Sequence, residues 1–306
     1  MYDIIIVGGG PAGLTAALYA RRAGKSVIII EKNGFGGQIT YSPNVENIPG
    51  TAQISGNEFA DKLLDQVLKM GADVELENVV SIELEDNIKH VITEDGKNYE
   101  AKTLVLATGV KHRMLGIDGE SELVGHGISF CAVCDGAFYA GQHVAVIGGG
   151  NSALQEAILL SKTCREVTVI QNLATFTGEK ALVNTLLAQK NVHTLFSSIV
   201  TAYDSNDGEL TGLQLKNVQT DEKSFLSVDG AFLAVGLIPE NENFSNLAKI
   251  DNFGYFASGE DCRTITNGIF VAGDCRGKNV RQVTTACADG AVAALAACDY
   301  IDGGCK

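Results

Sequence analysis

The sequence predicts an α/β protein with two Rossmann-like domains, each doubly wound and three-layered, the second inserted into the first. Two observations predict this fold. A glycine turn follows a short apolar strand at residues 8–13, and another follows a similar strand at residues 148–153. Each turn leads into a segment with helical spacing and then a further buried strand, which is the pattern of a βαβ unit. A repeat of this unit predicts two related nucleotide-binding domains.

Each predicted element is justified by its local pattern. Gly24 stops the first helical segment, and Glu31 ends the second strand. The elements of the two units are strand Tyr2–Val7, helix Ala12–Ala23 and strand Ser26–Ile30, then strand His143–Ile147, helix Ser152–Ser161 and strand Glu166–Ile170.

The domain boundaries are predicted from three later strands that each end in glycine. These strands are 103–107, 231–235 and 269–272, and the last precedes an alanine-rich helix over 283–300. We therefore predict a discontinuous nucleotide-binding domain of residues 1–112 and 241–306. Residues 113–240 would form a pyridine-nucleotide-like domain that carries the cysteine pair. A helix is expected over 57–69, and residues 74–99 alternate like an antiparallel meander.

Composition excludes several classes of function. The net charge of −14 argues against a nucleic-acid partner, because phosphate binding requires clustered Lys and Arg. No apolar run reaches the roughly 20 residues that a membrane helix needs, so no membrane partner is expected. The chain starts in a strand and not in a basic-then-apolar leader. Eight cysteines with one close pair do not resemble a secreted disulfide framework, so we expect a cytoplasmic protein.

The first glycine turn has the features of a dinucleotide site. A turn without side chains lets the backbone approach a pyrophosphate, and the N-terminus of the following helix stabilises its charge. Glu31 lies 18 residues after Gly13, where a carboxylate can accept ribose hydroxyls. The residues assigned to this turn are Gly8, Gly10, Pro11, Ala12 and Gly13.

The pair Cys131 and Cys134 has the spacing of a redox disulfide. Two thiols this close can form a disulfide, and nearby dipoles and charges can hold one of them as a thiolate. The alternative is half of a zinc site. Zinc requires further ligands, and the sequence has no second CxxC and no paired histidines, so no metal site is predicted.

The chain resembles the low-molecular-weight thioredoxin reductase family over essentially its whole length. The matching stretches are GGGPAGLTAALYARRAG at 8–24, GGQ at 36–38, VENIPG at 45–50, ATG at 107–109, CAVCDG at 131–136, GGGNSA at 148–153, AGD at 272–274 and RQ at 281–282. The resemblance implies a homodimer that holds FAD in the first site and reduces thioredoxin.

The resemblance also implies residue roles. Glu31 would bind the adenosine ribose, Asp274 the ribityl chain, and Gln38 and Asn47 would lie along the flavin. Asn47 has an alternative role as a turn residue before Pro49. The other residues implied in FAD binding are Gly37, Ala107, Thr108, Gly109, Gly273, Arg281, Gln282 and Val283.

The same resemblance assigns the chemistry of the cysteine motif. Cys134 would face the flavin, Cys131 would attack the disulfide of thioredoxin, and Asp135 would serve as general acid or base.

The second glycine turn lacks the residues that recognise a nicotinamide cofactor. Gln171 occupies the position that corresponds to Glu31, whereas an NAD site requires a carboxylate and an NADP site a cation. No positive charge occurs from Gln171 until Lys180, and Glu179 would repel a phosphate. In this respect the chain resembles the ferredoxin-dependent flavin thioredoxin reductases, which implies reduced ferredoxin as electron donor.

Three alternatives remain open at the level of sequence. NADH or NADPH would still bind if the loop rearranged. A different disulfide reductase is a second possibility, and a non-catalytic FAD-binding redox sensor is a third. A ferredoxin would need local positive charge for docking, and the candidate cations are Arg21, Arg22, Lys25, Arg276, Lys278 and Arg281.

Overall fold

A computed structural model of the protein describes residues 1–42 and 45–303. The chain divides into two compact units, one formed by Met1–Lys111 with Ile238–Lys306 and the other by His112–Leu237. The predicted boundaries lie one and three residues further along the chain. Both units contain a parallel sheet with the Rossmann-like βαβ arrangement, as the sequence predicted.

The elements are numbered in chain order. The strands are β1 (Tyr2–Val7), β2 (Val27–Glu31), β3 (Asp73–Leu76), β4 (Val79–Glu85), β5 (Ile88–Thr93), β6 (Asn98–Leu106), β7 (Val110–His112), β8 (Ile128–Ser129), β9 (His143–Ile147), β10 (Glu166–Ile170), β11 (Val192–Leu195), β12 (Ser198–Asn206), β13 (Glu209–Asn217), β14 (Lys223–Ser227), β15 (Gly230–Leu233), β16 (Leu237–Pro239) and β17 (Ile269–Val271). The α-helices are α1 (Pro11–Arg22), α2 (Gly56–Lys69), α3 (Glu120–Leu123), α4 (Ala132–Asp135), α5 (Asn151–Leu160), α6 (Lys180–Leu187) and α7 (Val283–Ile301).

The sheet of the first unit has the strand order β3-β2-β1-β6-β5-β4. β3, β2, β1 and β6 are parallel, and β4 and β5 continue as an antiparallel extension. β17 pairs with the C-terminal half of β6, beyond the part that pairs with β5. The predicted meander was therefore wrong at its start, because β3 pairs in parallel with β2. Alternation on a short edge strand does not distinguish the two directions of pairing.

The core of the first unit depends on close packing between α1 and α7. A Cβ atom on Gly290 would lie 2.1 Å from the carbonyl oxygen of Ala12, so only glycine permits this approach. Alanines of both helices fill the same apolar cluster as Ile4 and Ile29 of the central strands. This packing places the start of α7 beside the glycine turn after β1.

The second unit repeats this plan. Its parallel sheet has the order β11-β10-β9-β15-β8, and a separate antiparallel sheet has the order β12-β13-β14. α5 follows β9 as α1 follows β1, and it buries Ala153, Leu154 and Ala157 against the sheet. Within residues 1–42 and 45–303, no helix has the length and apolar character needed to cross a bilayer.

Candidate active site

The first glycine turn is shaped by backbone packing. Gly8 has a φ of +108°, and a Cβ there would lie 2.3 Å from the carbonyl oxygen of Ala107 at the end of β6. A Cβ on Gly13 would lie 1.9 Å from the carbonyl oxygen of Gly8. Side chains at either position would push the strand, the turn and the helix apart, so the turn requires glycine.

Gly10 lies at the open side of this turn. A Cβ there would meet nothing closer than 3.9 Å, where Gly36 and Gly37 lie. Gly10 is also the N-cap of α1 and supplies no side-chain cap, and Pro11 occupies the first helical turn. The helix N-terminus therefore presents backbone donors and free space, which is the arrangement that accepts a pyrophosphate.

Glu31 is held at the tip of β2 by two backbone donors. Its Oε2 accepts a hydrogen bond of 2.6 Å from the Gly9 amide, and its Oε1 accepts one of 3.0 Å from the Asn33 amide. The carboxylate is thereby fixed beside the glycine turn. This position suits recognition of a ribose.

Asp274 follows β17 in a short 3₁₀ turn. Its Oδ1 is buried and accepts no hydrogen bond, although the Lys278 ammonium lies 3.6 Å away. Burial raises the pKa of this carboxyl group above its usual value. A buried carboxylate oxygen without a hydrogen-bond partner fits a ligand hydroxyl that completes the site.

A buried network, which the sequence analysis did not identify, supports this turn. Asp289 of α7 accepts hydrogen bonds from the Gly273 amide at 3.0 Å and from the Lys278 Nζ at 2.9 Å. The buried Arg276 donates to the carbonyl oxygen of Gly259 at 2.9 Å. A charged residue among the small residues of α7 is the signal that would have identified Asp289.

Several residues predicted to bind FAD lie together at the start of α7. The Asn47 side-chain amide donates to Gln282 Oε1 at 3.2 Å, which links the segment after β2 to this helix. Gln282 is the N-cap of α7 and forms a capping box with Thr285, so Val283 begins the helix. The Arg281 guanidinium lies 4.3 Å from the centre of the Tyr255 ring.

The remaining predicted residues surround the same turn, with one exception. A Cβ on Gly37 would lie 3.2 Å from Gly10, and one on Gly273 would lie 2.8 Å from the side chain of Ala12. Thr108 donates to Asn241 at 2.7 Å, and Gly109 has a φ of +68°. Gln38 is exposed on a 3₁₀ turn over 37–41, and its place beside a flavin stays a prediction.

The redox cysteines lie in the second unit and form a disulfide. Cys131 is the N-cap of the short helix α4, and its sulfur accepts a hydrogen bond from the Cys134 amide at 3.2 Å. Both side chains are half-buried. A sulfur that accepts backbone hydrogen bonds at a helix start is favoured as a thiolate after reduction.

Asp135 follows the disulfide directly in the chain. Ser129, at the end of β8, donates to Asp135 Oδ2 at 2.6 Å and accepts from the Cys131 amide at 3.1 Å. Asp135 Oδ1 is buried without a hydrogen-bond partner, and burial raises the pKa of this carboxyl group. Ser129 therefore connects the acid to the cysteine backbone, a role that no sequence pattern indicated.

In the second glycine turn, Gln171 occupies the place that Glu31 has in the first. It is buried, and its Nε2 would lie 2.1 Å from a Cβ on Gly149. Its amide is engaged by its own loop, since Oε1 accepts from the Asn172 amide and Nε2 donates to the carbonyl oxygen of Thr175. Gln171 thus stabilises the loop and brings no charge to the turn.

Glu179 is the N-cap of α6 and contacts the N-terminus of α5. Its Oε1 accepts from the Asn151 side chain at 2.9 Å, and its amide donates to Asn151 Oδ1 at 2.7 Å. A carboxylate is thereby held at the first residue of the helix that follows the second glycine turn. This negative charge opposes a pyrophosphate at that helix end.

The other cysteines contribute no second redox pair within residues 1–42 and 45–303. Cys164, Cys262, Cys275, Cys287 and Cys298 are free thiols, and Cys275 donates to the carbonyl oxygens of Ala272 and Leu106. Cys305 lies outside the described residues. Among the described residues, no group of His, Cys, Asp or Glu forms a metal site.

Comparison with known proteins identifies this arrangement. The family model described as pyridine nucleotide-disulphide oxidoreductase matches residues 2–290. A thioredoxin reductase of Treponema pallidum is 40% identical over 302 residues, with 98% of this chain and 97% of the relative covered. A Clostridium pasteurianum protein described as a 34.2 kDa protein in the rubredoxin operon has the same identity and coverage. The crystal structure of thioredoxin reductase from Streptococcus pyogenes matches with a TM-score of 0.94 and 39% identity over 99% of both chains.

The fold and the cysteine site define a flavin-dependent disulfide oxidoreductase of the thioredoxin reductase type. The chain belongs to the pyridine nucleotide-disulphide oxidoreductase family.

Proposed function

We propose that this protein is an FAD-dependent thioredoxin-disulfide reductase that takes its electrons from reduced ferredoxin instead of NADPH. The observation that carries the choice of donor is the loop over 171–179. It has no cation, and its Glu179 carboxylate is bound by Asn151 at the N-terminus of α5, where a dinucleotide pyrophosphate would bind. Recognition of the 2′-phosphate requires charge-assisted hydrogen bonds, which are worth about 1.5–3 kcal/mol each.

FAD fits the residues of the first unit. The open Gly10 turn would take the pyrophosphate, the Glu31 carboxylate the adenosine ribose, and Asp274 Oδ1, which accepts no hydrogen bond, a ribityl hydroxyl. The backbone at the start of α7, from Arg281 to Val283, would supply donors for the flavin ring. FAD supplies the chemistry that links one-electron donors to two-electron reduction of a disulfide.

The second unit provides the thiol chemistry. Reduction of the disulfide consumes two electrons and two protons and yields the Cys131 and Cys134 thiols. Cys131 then attacks the disulfide of thioredoxin and forms a mixed disulfide, and Cys134 resolves it, which regenerates the enzyme disulfide and releases reduced thioredoxin. Asp135 transfers the proton at the leaving sulfur.

Five of the six cations that the sequence offered for ferredoxin docking are buried, half-buried or already paired in the structure. Arg276 is buried, and Lys278 is paired with Asp289, so neither offers a free surface charge. Lys25 is paired with Asp302, and Arg21 donates to two backbone carbonyls. Of the six candidates only Arg22 is exposed, which makes it the residue to test for docking.

Anaerobic titration of the purified protein tests the choice of donor. Reduced ferredoxin should bleach the flavin absorbance and support thioredoxin reduction, whereas micromolar NADPH or NADH should leave the flavin oxidised. The Arg22→Glu variant should slow reduction by ferredoxin, with Lys62→Glu as a control that changes an exposed lysine of α2. Fast bleaching by micromolar NADPH would refute ferredoxin as the required donor.

We also propose that the protein works in the cytoplasm as a homodimer. The five free thiols of the described residues are typical of a reducing compartment. Light scattering of the purified protein would measure the assembly state directly.

A further inference from the structure

A second carboxyl group lies near Asp135 in the second unit. The cysteine helix α4 packs on α5, and Ala132 shares an apolar cluster with Ala157 and Leu160. Glu156 is carried on α5, and its Oε2 is buried without a hydrogen-bond partner. Asp135 Oδ1 is likewise buried without a hydrogen-bond partner. Two buried carboxyl groups on helices that pack together do not both ionise readily.

Glu156 holds its proton more strongly than Asp135 does. Burial and the Asp135 charge raise the pKa of Glu156 to about 8. Burial also raises the pKa of Asp135, but the hydrogen bond from Ser129 favours its ionised form. Tyr139, the other titratable group that faces Asp135, has its pKa raised to about 12 by burial and by Asp135 and Glu209, so it stays neutral.

We propose that Glu156 is a positioning residue that stores a proton for Asp135, so that the two carboxyl groups hold one proton beside the redox cysteines. The proposal rests on the disulfide chemistry described above and not on the identity of the electron donor. Glu156 does not need to contact the sulfur atoms, because it acts through Asp135.

The proton balance of the step is simple. Glu156 passes its proton to Asp135, and Asp135 gives that proton to the leaving thiolate sulfur. The pair would then carry two negative charges in a buried site, so it regains one proton from water. No electrons move in this relay beyond the two that reduce the disulfide.

The Glu156→Gln variant tests the proposal, because glutamine has the size of the neutral acid and cannot titrate. Single-turnover reduction of thioredoxin by dithionite-reduced enzyme should be followed from pH 6 to pH 9. In the unsubstituted protein the rate should fall only above about pH 8. In the variant the descending limb should begin at least about one pH unit lower, so the rate near pH 8 falls by about tenfold. Glu156→Asp, which can still titrate, should restore most of the rate.

Glu122→Gln is the matched control, because Glu122 is an exposed glutamate of the same unit. It should leave the pH profile unchanged. A second measurement needs no variant: infrared titration of the oxidised holoenzyme should show a protonated carboxylic acid that ionises near pH 8. Loss of that band in Glu156→Gln would support the proposal.

An unchanged pH profile in Glu156→Gln, or no protonated carboxyl in the unsubstituted protein at neutral pH, would overturn it. Because dithionite replaces the donor, these results are independent of whether ferredoxin or NADPH reduces the flavin.

Discussion

At the scale of single residues, the protein contains three acids with distinct electrostatic settings. Glu31 is bound by two backbone amides, whereas Asp274 and Asp135 each have a buried oxygen with no hydrogen-bond partner. Buried polar atoms are normally paired, so each exception indicates a missing ligand or a chemical role. Location distinguishes the two, since Asp274 lies beside Lys278 in the turn after β17 and Asp135 directly follows the disulfide. We therefore propose a ligand-binding role for Asp274 and a proton-transfer role for Asp135.

Asp274→Asn should weaken FAD binding by about 10- to 100-fold, because an amide replaces a carboxylate acceptor whose hydrogen bond is worth roughly 1.5–3 kcal/mol. Quenching of flavin fluorescence on titration of the apoprotein measures the affinity. Asp61→Asn changes an exposed aspartate of α2 in the same unit and should have no effect. Equal FAD affinity in the unsubstituted protein, Asp274→Asn and Asp61→Asn would show that Asp274 does not bind FAD.

The two cysteine variants should fail at different steps. Cys134→Ser should stop electron transfer from the flavin to the disulfide. Cys131→Ser should abolish thioredoxin reduction and leave Cys134 as a free thiol. Anaerobic flavin spectra together with a thioredoxin-coupled assay distinguish these losses. Normal turnover by both variants would place the redox centre elsewhere in the chain.

Glu156 also predicts how stability depends on pH. Its folded pKa of about 8 exceeds the usual 4.5, so the folded state keeps a proton that the unfolded state has lost. Stability should therefore fall as pH rises between about 4.5 and 8 and level off above that range. Denaturant unfolding of the holoenzyme should show a weaker decline in Glu156→Gln. Equal pH dependence in both proteins would contradict the raised pKa.

At the scale of elements, the two βαβ units differ at the loop after their second strand. In the first unit, Glu31 accepts a hydrogen bond from the glycine turn, and the Gly10 position remains open. In the second, Gln171 packs over Gly149, and Thr177 and Gly178 donate to the Gly149 carbonyl oxygen. Both loops lie on their glycine turns, since Gly36 likewise donates to the Gly9 carbonyl oxygen. The units differ in charge, because the second loop has Gln171 in place of Glu31 and holds Glu179 against the first residue of α5.

Adding charge to this loop should change the donor preference. The combined substitutions Asn172→Arg, Leu173→Arg and Glu179→Gln add two cations and remove the carboxylate at the start of α5. We expect flavin reduction by NADPH to rise by about tenfold or more and reduction by NADH to rise less, because both nucleotides gain from the loss of Glu179 but only NADPH has a 2′-phosphate for the added cations. Stopped-flow absorbance measures both rates. The neutral set Asn172→Gln, Leu173→Gln and Glu179→Gln separates added charge from relaxed packing, and an equal gain there would count against phosphate recognition.

At the scale of the whole molecule, two glycine turns do not imply two bound nucleotides. The elements resemble each other, but the Glu31 carboxylate that binds the first glycine turn is replaced in the second unit by the neutral Gln171 side chain. Fold similarity alone therefore does not fix the number of bound cofactors. The distribution of charge also matters at this scale, because the chain has a net charge of −14 and buries some of its few cations.

Most of the fold could be predicted because its signals are local. The strand, glycine turn and helix of each βαβ unit follow from side-chain periodicity and backbone sterics over about 25 residues. Cys131 and Cys134 are close for the same reason, since three residues of chain keep them within disulfide distance. The missing cations after Gln171 are likewise visible in the sequence alone.

Tertiary structure alone decided which distant side chains act together. Asp289 supports the turn that holds Asp274, and Glu156 lies near Asp135, because packing of one helix on another element brings them together. Periodicity identifies the buried face of a helix, but it does not specify which polar group will meet another across an interface. That outcome depends on close packing and on which buried atoms remain without hydrogen-bond partners, and both are properties of the folded chain.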